Sequence, residues 1–229
     1  DNAELLHHLA EQALQAIAQK IEPNKLGETV FQFKSAIAEK IYLQMKGHFT
    51  LTTPAYIAQR ILSFTKIEQW NFSVLVNAGY RDYRDIIVPT SLIPKFVFRG
   101  FEKACHFEYK FDSKTEQDLA FVFENDKSVI KWLRPAPNQF RIYWDNNSKK
   151  YEPDFVVETA DAIYIIEPKA LSDIPNFDVQ SKKISALKYC EYATVFNLEN
   201  GAKPWYYLLL PHTEISRSVN LDYLKTKFG

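Results

Sequence analysis

Two short words in the sequence carry residue types suited to chemistry: Tyr151-Glu152-Pro153-Asp154-Phe155 and Ile165-Ile166-Glu167-Pro168-Lys169. On a β-strand, side chains two apart point the same way, so Glu167 and Lys169 share a face. A turn at Thr159 to Asp161 would fold the words into a hairpin. Asp154 then falls across from Glu167 or one residue off. Two carboxylates and an ammonium would converge at one end of a sheet. Such carboxylates suit Mg²⁺, which keeps several waters and completes its shell from substrate phosphate. The ion polarises phosphorus–oxygen bonds and makes bound water a better nucleophile. A neighbouring lysine orients that water or offsets charge building on the phosphoryl group. It serves as a base only with a pKa far below its reference of about 10.4. The chemistry indicated is metal-assisted phosphodiester hydrolysis.

The competing reading is a surface strand, because Asp and Glu are common and such a string arises by chance. Context favours the site. Glu167 and Lys169 end an apolar strand, and Pro153 fixes the approach to Asp154. Pro168 lacks an N–H and is expected at a strand end, its carbonyl able to face a metal. Glu116 and Lys183 are further candidates. Glu116 opens a helix on the stripe of Ala120 and Phe123, so it either caps that helix or faces the sheet. Lys183 shares a stripe with Val179, Ala186, Leu187 and Cys190. It either snorkels from that stripe or reaches a phosphate beside the metal.

The elements that must hold these residues are readable from periodicity. Leu6, Leu9, Ala13, Ile17 and Ile21 mark one helix, and a second runs from about Glu28 to Met45. A third, shorter one follows Thr53-Pro54. The stretch from Phe72 to Val88 is mixed, and Lys95 to Lys110 alternates like β-structure in places. Ser113-Lys114-Thr115-Glu116 has the form of a capping box, with a helix to about Glu124. Strands are expected at Val129 to Leu133, Phe140 to Trp144, Tyr151 to Glu158 and Ala162 to Lys169, with a turn at Asn146-Asn147. A helix from Asp178 to about Tyr192 follows, then strands at Thr194 to Leu198 and Trp205 to Leu210, and a last helix from Asn220 to Phe228. The expected fold is α/β: a mixed central sheet flanked by helices in residues 111–229, preceded by a mostly helical region in residues 1–110.

Composition narrows the class. The 229 residues carry 28 basic and 28 acidic side chains, and 46% of residues are hydrophobic. That excludes disorder as the default and permits a full core. No apolar run approaches the ~20 residues of a membrane span. Residues 1–110 hold 13 basic and 11 acidic side chains, and the remainder 15 and 17. Neither part is a cationic nucleic-acid module. Cys105 and Cys190 form no metal or redox motif, which suits a reducing compartment. The sequence starts at Asp1 with Met45 its only methionine, and is expected to be a piece of a longer protein.

Glu116, Pro153-Asp154 and Glu167-Pro168-Lys169, set on helix, strand and strand, resemble the PD-(D/E)XK nuclease superfamily. The surrounding words are more specific. Phe111-Asp112-Ser113-Lys114-Thr115-Glu116, Lys131-Trp132-Leu133-Arg134-Pro135 and Tyr151 to Glu158 are similar to the C-terminal endonuclease region of type III restriction enzyme restriction subunits and related helicase-nucleases. The likeness covers about residues 111 to 195 and is weak before them. It implies a restriction-endonuclease-like sheet, a double-stranded DNA substrate, and Mg²⁺ as cofactor with Mn²⁺ as a substitute. Asp154 and Glu167 would be metal ligands, Lys169 the catalytic lysine and Glu116 the helix-borne acid. Pro168 departs from the apolar residue usual between the last two. The resemblance also implies a cytoplasmic bacterial or archaeal protein with a helicase motor and a methyltransferase subunit that recognises the site. No GxxxxGK[ST] loop occurs here, so ATP would belong to the motor alone. Two other functions remain open. One is a catalytically silent nuclease fold that positions DNA. The other is a subunit-docking role for residues 1–110, with Trp70, Phe72, Tyr80 and Tyr83 as surface.

Overall fold

The computed structural model describes residues 2–48, 66–68, 70–74, 79–144 and 149–229. The chain divides into two compact units, residues 1–58 and 59–229. The first holds α1 (Asn2–Ala18) and α2 (Leu26–His48), joined through a 3-10 turn at Pro23–Lys25. Proline suits the first position of that turn, where its missing N–H is not needed. None of the described side chains in this unit is fully buried. The short helix expected after Thr53-Pro54 lies outside the described residues, as does the Asn146-Asn147 turn.

The second unit begins with a parallel pair, β1 (Tyr80–Asp82) and β2 (Val97–Arg99). It continues with α3 (Lys114–Asn125), β3 (Val129–Leu133), β4 (Ile142–Trp144), β5 (Lys149–Tyr151), β6 (Phe155–Thr159), β7 (Ile163–Lys169), α4 (Phe177–Glu199), β8 (Trp205–Pro211) and α5 (Leu221–Phe228). The main sheet has the order β3-β6-β7-β8, antiparallel except for the parallel β7–β8 pair. β4 and β5 form a separate antiparallel ladder.

Alternation sorts the side chains of the main sheet onto two faces. Phe155, Val157, Tyr164, Ile166, Leu208 and Leu210 face a core shared with Leu119, Ala120 and Phe123 of α3 and Leu221 and Leu224 of α5. Val156, Ile165, Tyr207 and Leu209 face Ala186 and Cys190 of α4 and the inner side chains of the β4–β5 hairpin. The fold is therefore α/β, a mixed sheet between helices.

Three expectations need correction. The unit boundary falls near residue 59 and not at 110. Phe98, Tyr109 and Phe111 are fully buried in the α3-side core, and bridges join Phe98 to Tyr109 and Ala104 to Trp132. The described part of residues 70–110 carries short strands, one of them within the alternating stretch Lys95 to Lys110, and a 3-10 turn at Thr90–Lys95, so the mostly helical part of residues 1–110 is confined to α1 and α2 among the described residues. Second, Thr194 to Leu198 is helical. The β-branched and aromatic residues there suggest a strand, but Ala186, Cys190 and Ala193 bury at helical spacing against the sheet and carry α4 through. Third, the expected strand from Tyr151 to Glu158 is two strands, broken at Glu152–Asp154 because Pro153 cannot donate to a ladder. Trp70 and Phe72 pack against the core and Tyr83 is buried, which leaves only Tyr80 of the four suggested contact aromatics exposed.

Candidate active site

The β6–β7 turn forms where expected. The Thr159 N–H donates to the Ala162 carbonyl at 2.9 Å, and the Thr159 hydroxyl bonds Asp161 at 2.7 Å. The register pairs Phe155 with Ile166 and Glu158 with Ile163. Continued by one residue, it sets Asp154 directly opposite Glu167. Directly opposed residues project on the same face, here the α4 side. The Asp154 backbone N–H donates to Glu167 Oε2 at 3.2 Å. Lys169, two residues on, places its Nζ 2.7 Å from Glu167 Oε1.

Pro168 does not end β7; the strand continues through it and pairs Pro168 with Leu210 and Lys169 with Pro211 of β8. The reason lies in the pleat. The Ile163 N–H points toward the β8 side, to the Pro204 carbonyl, so by alternation residue 168 turns its N–H position and carbonyl toward β6. There the register sets Pro153 opposite Pro168, and neither has a hydrogen to give. The β6–β7 ladder stops at Phe155–Ile166 while β7–β8 runs on. The paired prolines open the sheet at the point where Asp154, Glu167 and Lys169 stand.

Glu116 reaches this end of the sheet from the first turn of α3. Ser113 caps that helix by accepting the Glu116 N–H at 3.2 Å. The Glu116 side chain reaches back to the Asp112 N–H at 2.9 Å, one residue earlier than a reciprocal capping box. It also pairs with Arg134 at 2.9 Å. Glu116 therefore bonds backbone ahead of its helix and pairs with Arg134 at once. Arg134 is the residue that reading the sequence missed. It is buried just beyond β3, bonds Asp112 at 2.7 Å, and donates to the Lys110 carbonyl. Its guanidinium lies 5.6 Å from the Trp70 ring centre. Lys183 sits in the second turn of α4, half-buried on the stripe of Ala186 and Cys190, and makes no ion pair among the described residues. Leu187, expected on that stripe, is exposed.

The charges are unevenly matched. Glu167 is paired with Lys169, and Glu116 with Arg134. The other buried acids of α3 are also satisfied. Asp118 pairs with Arg217 at 3.1 Å, and Glu124 accepts the Trp132 indole N–H at 2.7 Å. Among the described residues the Asp154 carboxylate enters no ion pair and accepts no hydrogen bond. Burial, then the neighbouring Glu167 charge, pushes its pKa up to about 7, against the pull of Lys169 and Arg134. Glu116 is raised by burial, with Arg134 opposing. Burial pulls Lys169 down, but Glu167 and then Asp154 outweigh it and hold the ammonium above its ordinary range. Lys169 is therefore held as a cation beside Glu167.

Two adjacent carboxylates, one without a counter-charge, fit a hard divalent cation with oxygen donors, such as Mg²⁺. Among the described residues no group of three or more His, Cys, Asp or Glu side chains is placed to hold a metal. The donor set offered is the Asp154–Glu167 pair, with Glu116 turned to Arg134 instead. No family model and no curated protein matches this chain.

Proposed function

We propose that residues 59–229 form a metal-dependent endonuclease domain that hydrolyses phosphodiester bonds in double-stranded DNA. The kind of protein meant is a restriction subunit of a type III restriction enzyme, or a related helicase-nuclease. The observation that carries the reading is the Asp154–Glu167 pair on one face with the Lys169 ammonium 2.7 Å from Glu167. A surface strand has no reason to hold an unmatched carboxylate against another.

Asp154 and Glu167 would hold the cation. When bound, that ion supplies a polarised phosphorus–oxygen bond and a water of lowered pKa. Lys169 contributes N–H donors and positive charge to a phosphate oxygen as negative charge builds on it. Arg134 fixes Glu116 and through it the start of α3. Lys183 offers a cation for a flanking phosphate of the strand. Site recognition and ATP use would belong to a methyltransferase partner and a motor outside this sequence.

The test is a time course on supercoiled plasmid with Mg²⁺ or Mn²⁺. Wild type should nick and linearise the plasmid. Asp154→Asn, Glu167→Gln and Lys169→Ala should each lose about 100-fold or more. Cleavage by Lys169→Ala at the wild-type rate would sink the assigned site. Metal-independent DNA binding that survives Asp154→Ala, without cleavage by wild type, would favour a silent DNA-positioning module.

A further inference from the structure

Tyr151 is buried, with 8% of its surface exposed, yet its hydroxyl has no hydrogen-bond partner among the described residues. Buried hydroxyls are nearly always paired, so an orphan calls for a physical reason. Its position supplies one. Tyr151 ends β5, three residues before Asp154, and pairs with Ile142. Its ring packs in the cluster of Ile165, Tyr207 and Leu209, on the same face of the sheet as Asp154 and Glu167. Burial, then Tyr207 and Glu167, and more weakly Asp154, hold the phenol firmly in its protonated form. It can therefore donate a hydrogen bond, and the carboxylates whose charge acts on it are Glu167 and Asp154, the pair proposed to hold a cation.

We propose that Tyr151 is a positioning residue for that site: its hydroxyl donates to an oxygen ligand of the ion held by Asp154 and Glu167. This rests on the metal reading of the carboxylate pair. A phenol in that place orients a water or phosphate oxygen without adding charge. Outer partners of this kind typically contribute about 10- to 100-fold in metal affinity. A purely structural role would instead lower stability and leave metal affinity unchanged. Deleting a hydroxyl without a protein partner leaves nothing unsatisfied, so Tyr151→Phe should not lower stability.

The experiment is calorimetric titration of Mn²⁺ into wild type, Tyr151→Phe and Tyr189→Phe, with thermal unfolding of each chain in EDTA. Tyr189 is a control from the same apolar cluster, perturbed by burial and Cys190 but by neither carboxylate. The expected result is an affinity about 10-fold weaker in Tyr151→Phe, unchanged in Tyr189→Phe, with the metal-free melting temperature of Tyr151→Phe not reduced. Equal affinities in wild type and Tyr151→Phe would overturn the role of the hydroxyl and leave the carboxylate site standing. Equal weakening in both variants would overturn it too, by showing a packing effect. No Mn²⁺ binding by wild type would overturn the metal reading and this inference with it.

Discussion

Arg134 shows how one residue can tie distant parts of a site. Its guanidinium spans Asp112 and the Lys110 carbonyl, from the segment leading into α3, and Glu116 in the first turn of that helix. Truncating it leaves the largely enclosed Glu116 carboxylate without its counter-charge. Arg134→Ala should cost about 3–5 kcal/mol in urea unfolding, and Arg134→Lys should recover only part, since an ammonium lacks the planar fork. His106 makes a second prediction. Burial holds its imidazole below the ordinary value, and its Nε2 is buried without a partner among the described residues. The unfolded chain takes up the proton first, so the stabilising contribution is full above about pH 6.5 and is lost as pH falls through and below that value. Melting temperature should drop between about pH 7.5 and 5, and His106→Gln should flatten that slope. The Asp154, Glu167 and Lys169 cluster was legible in the sequence because strand alternation and one short turn determine it. Arg134 was not, since its partners lie some twenty residues away and no local pattern announces a long-range ion pair.

Among the elements, α3 and the β6–β7 hairpin do most to place the site. Ser113 stops the chain before α3 and satisfies the Glu116 N–H, so it fixes where the Glu116 side chain begins. Ser113→Ala should cost about 1 kcal/mol, read by chemical denaturation. The loss should be smaller with glycine, which tolerates the cap position. These two elements were readable because their signals are local: a capping sequence, and alternation interrupted by Thr159 to Asp161. The strand expected at Thr194 to Leu198 is helix instead, and this was not legible from sequence because the side chains there favour strands. What decides the outcome is burial of Ala186, Cys190 and Ala193 against a sheet assembled from elsewhere. Pro168 was misplaced at a strand end for a related reason. Its missing N–H matters only on the side facing Pro153, and that pairing emerges only once the register is known.

At the scale of the molecule, the buried hydrophobic side chains among the described residues all lie in the second unit, from Tyr83 onward. The boundary near residue 59 was not legible because residues 80 to 111 have little regular periodicity and join the core through isolated bridges. No described helix is long and apolar enough to cross a membrane. The zero formal charge makes sense if several acids serve a cation that offsets them when phosphate arrives. It also predicts weak DNA binding by this chain. A duplex titrated at physiological salt should give a dissociation constant of about 1 µM or weaker, with a shallow salt dependence set by few phosphate contacts. The central claim is that Asp154 and Glu167 together hold a metal, and anomalous diffraction from crystals grown with Mn²⁺ tests it most directly. One strong peak shared by the two carboxylates is expected, with Lys169 beside it and Glu116 still on Arg134. An Mn²⁺-saturated crystal with no peak between Asp154 and Glu167 would contradict it.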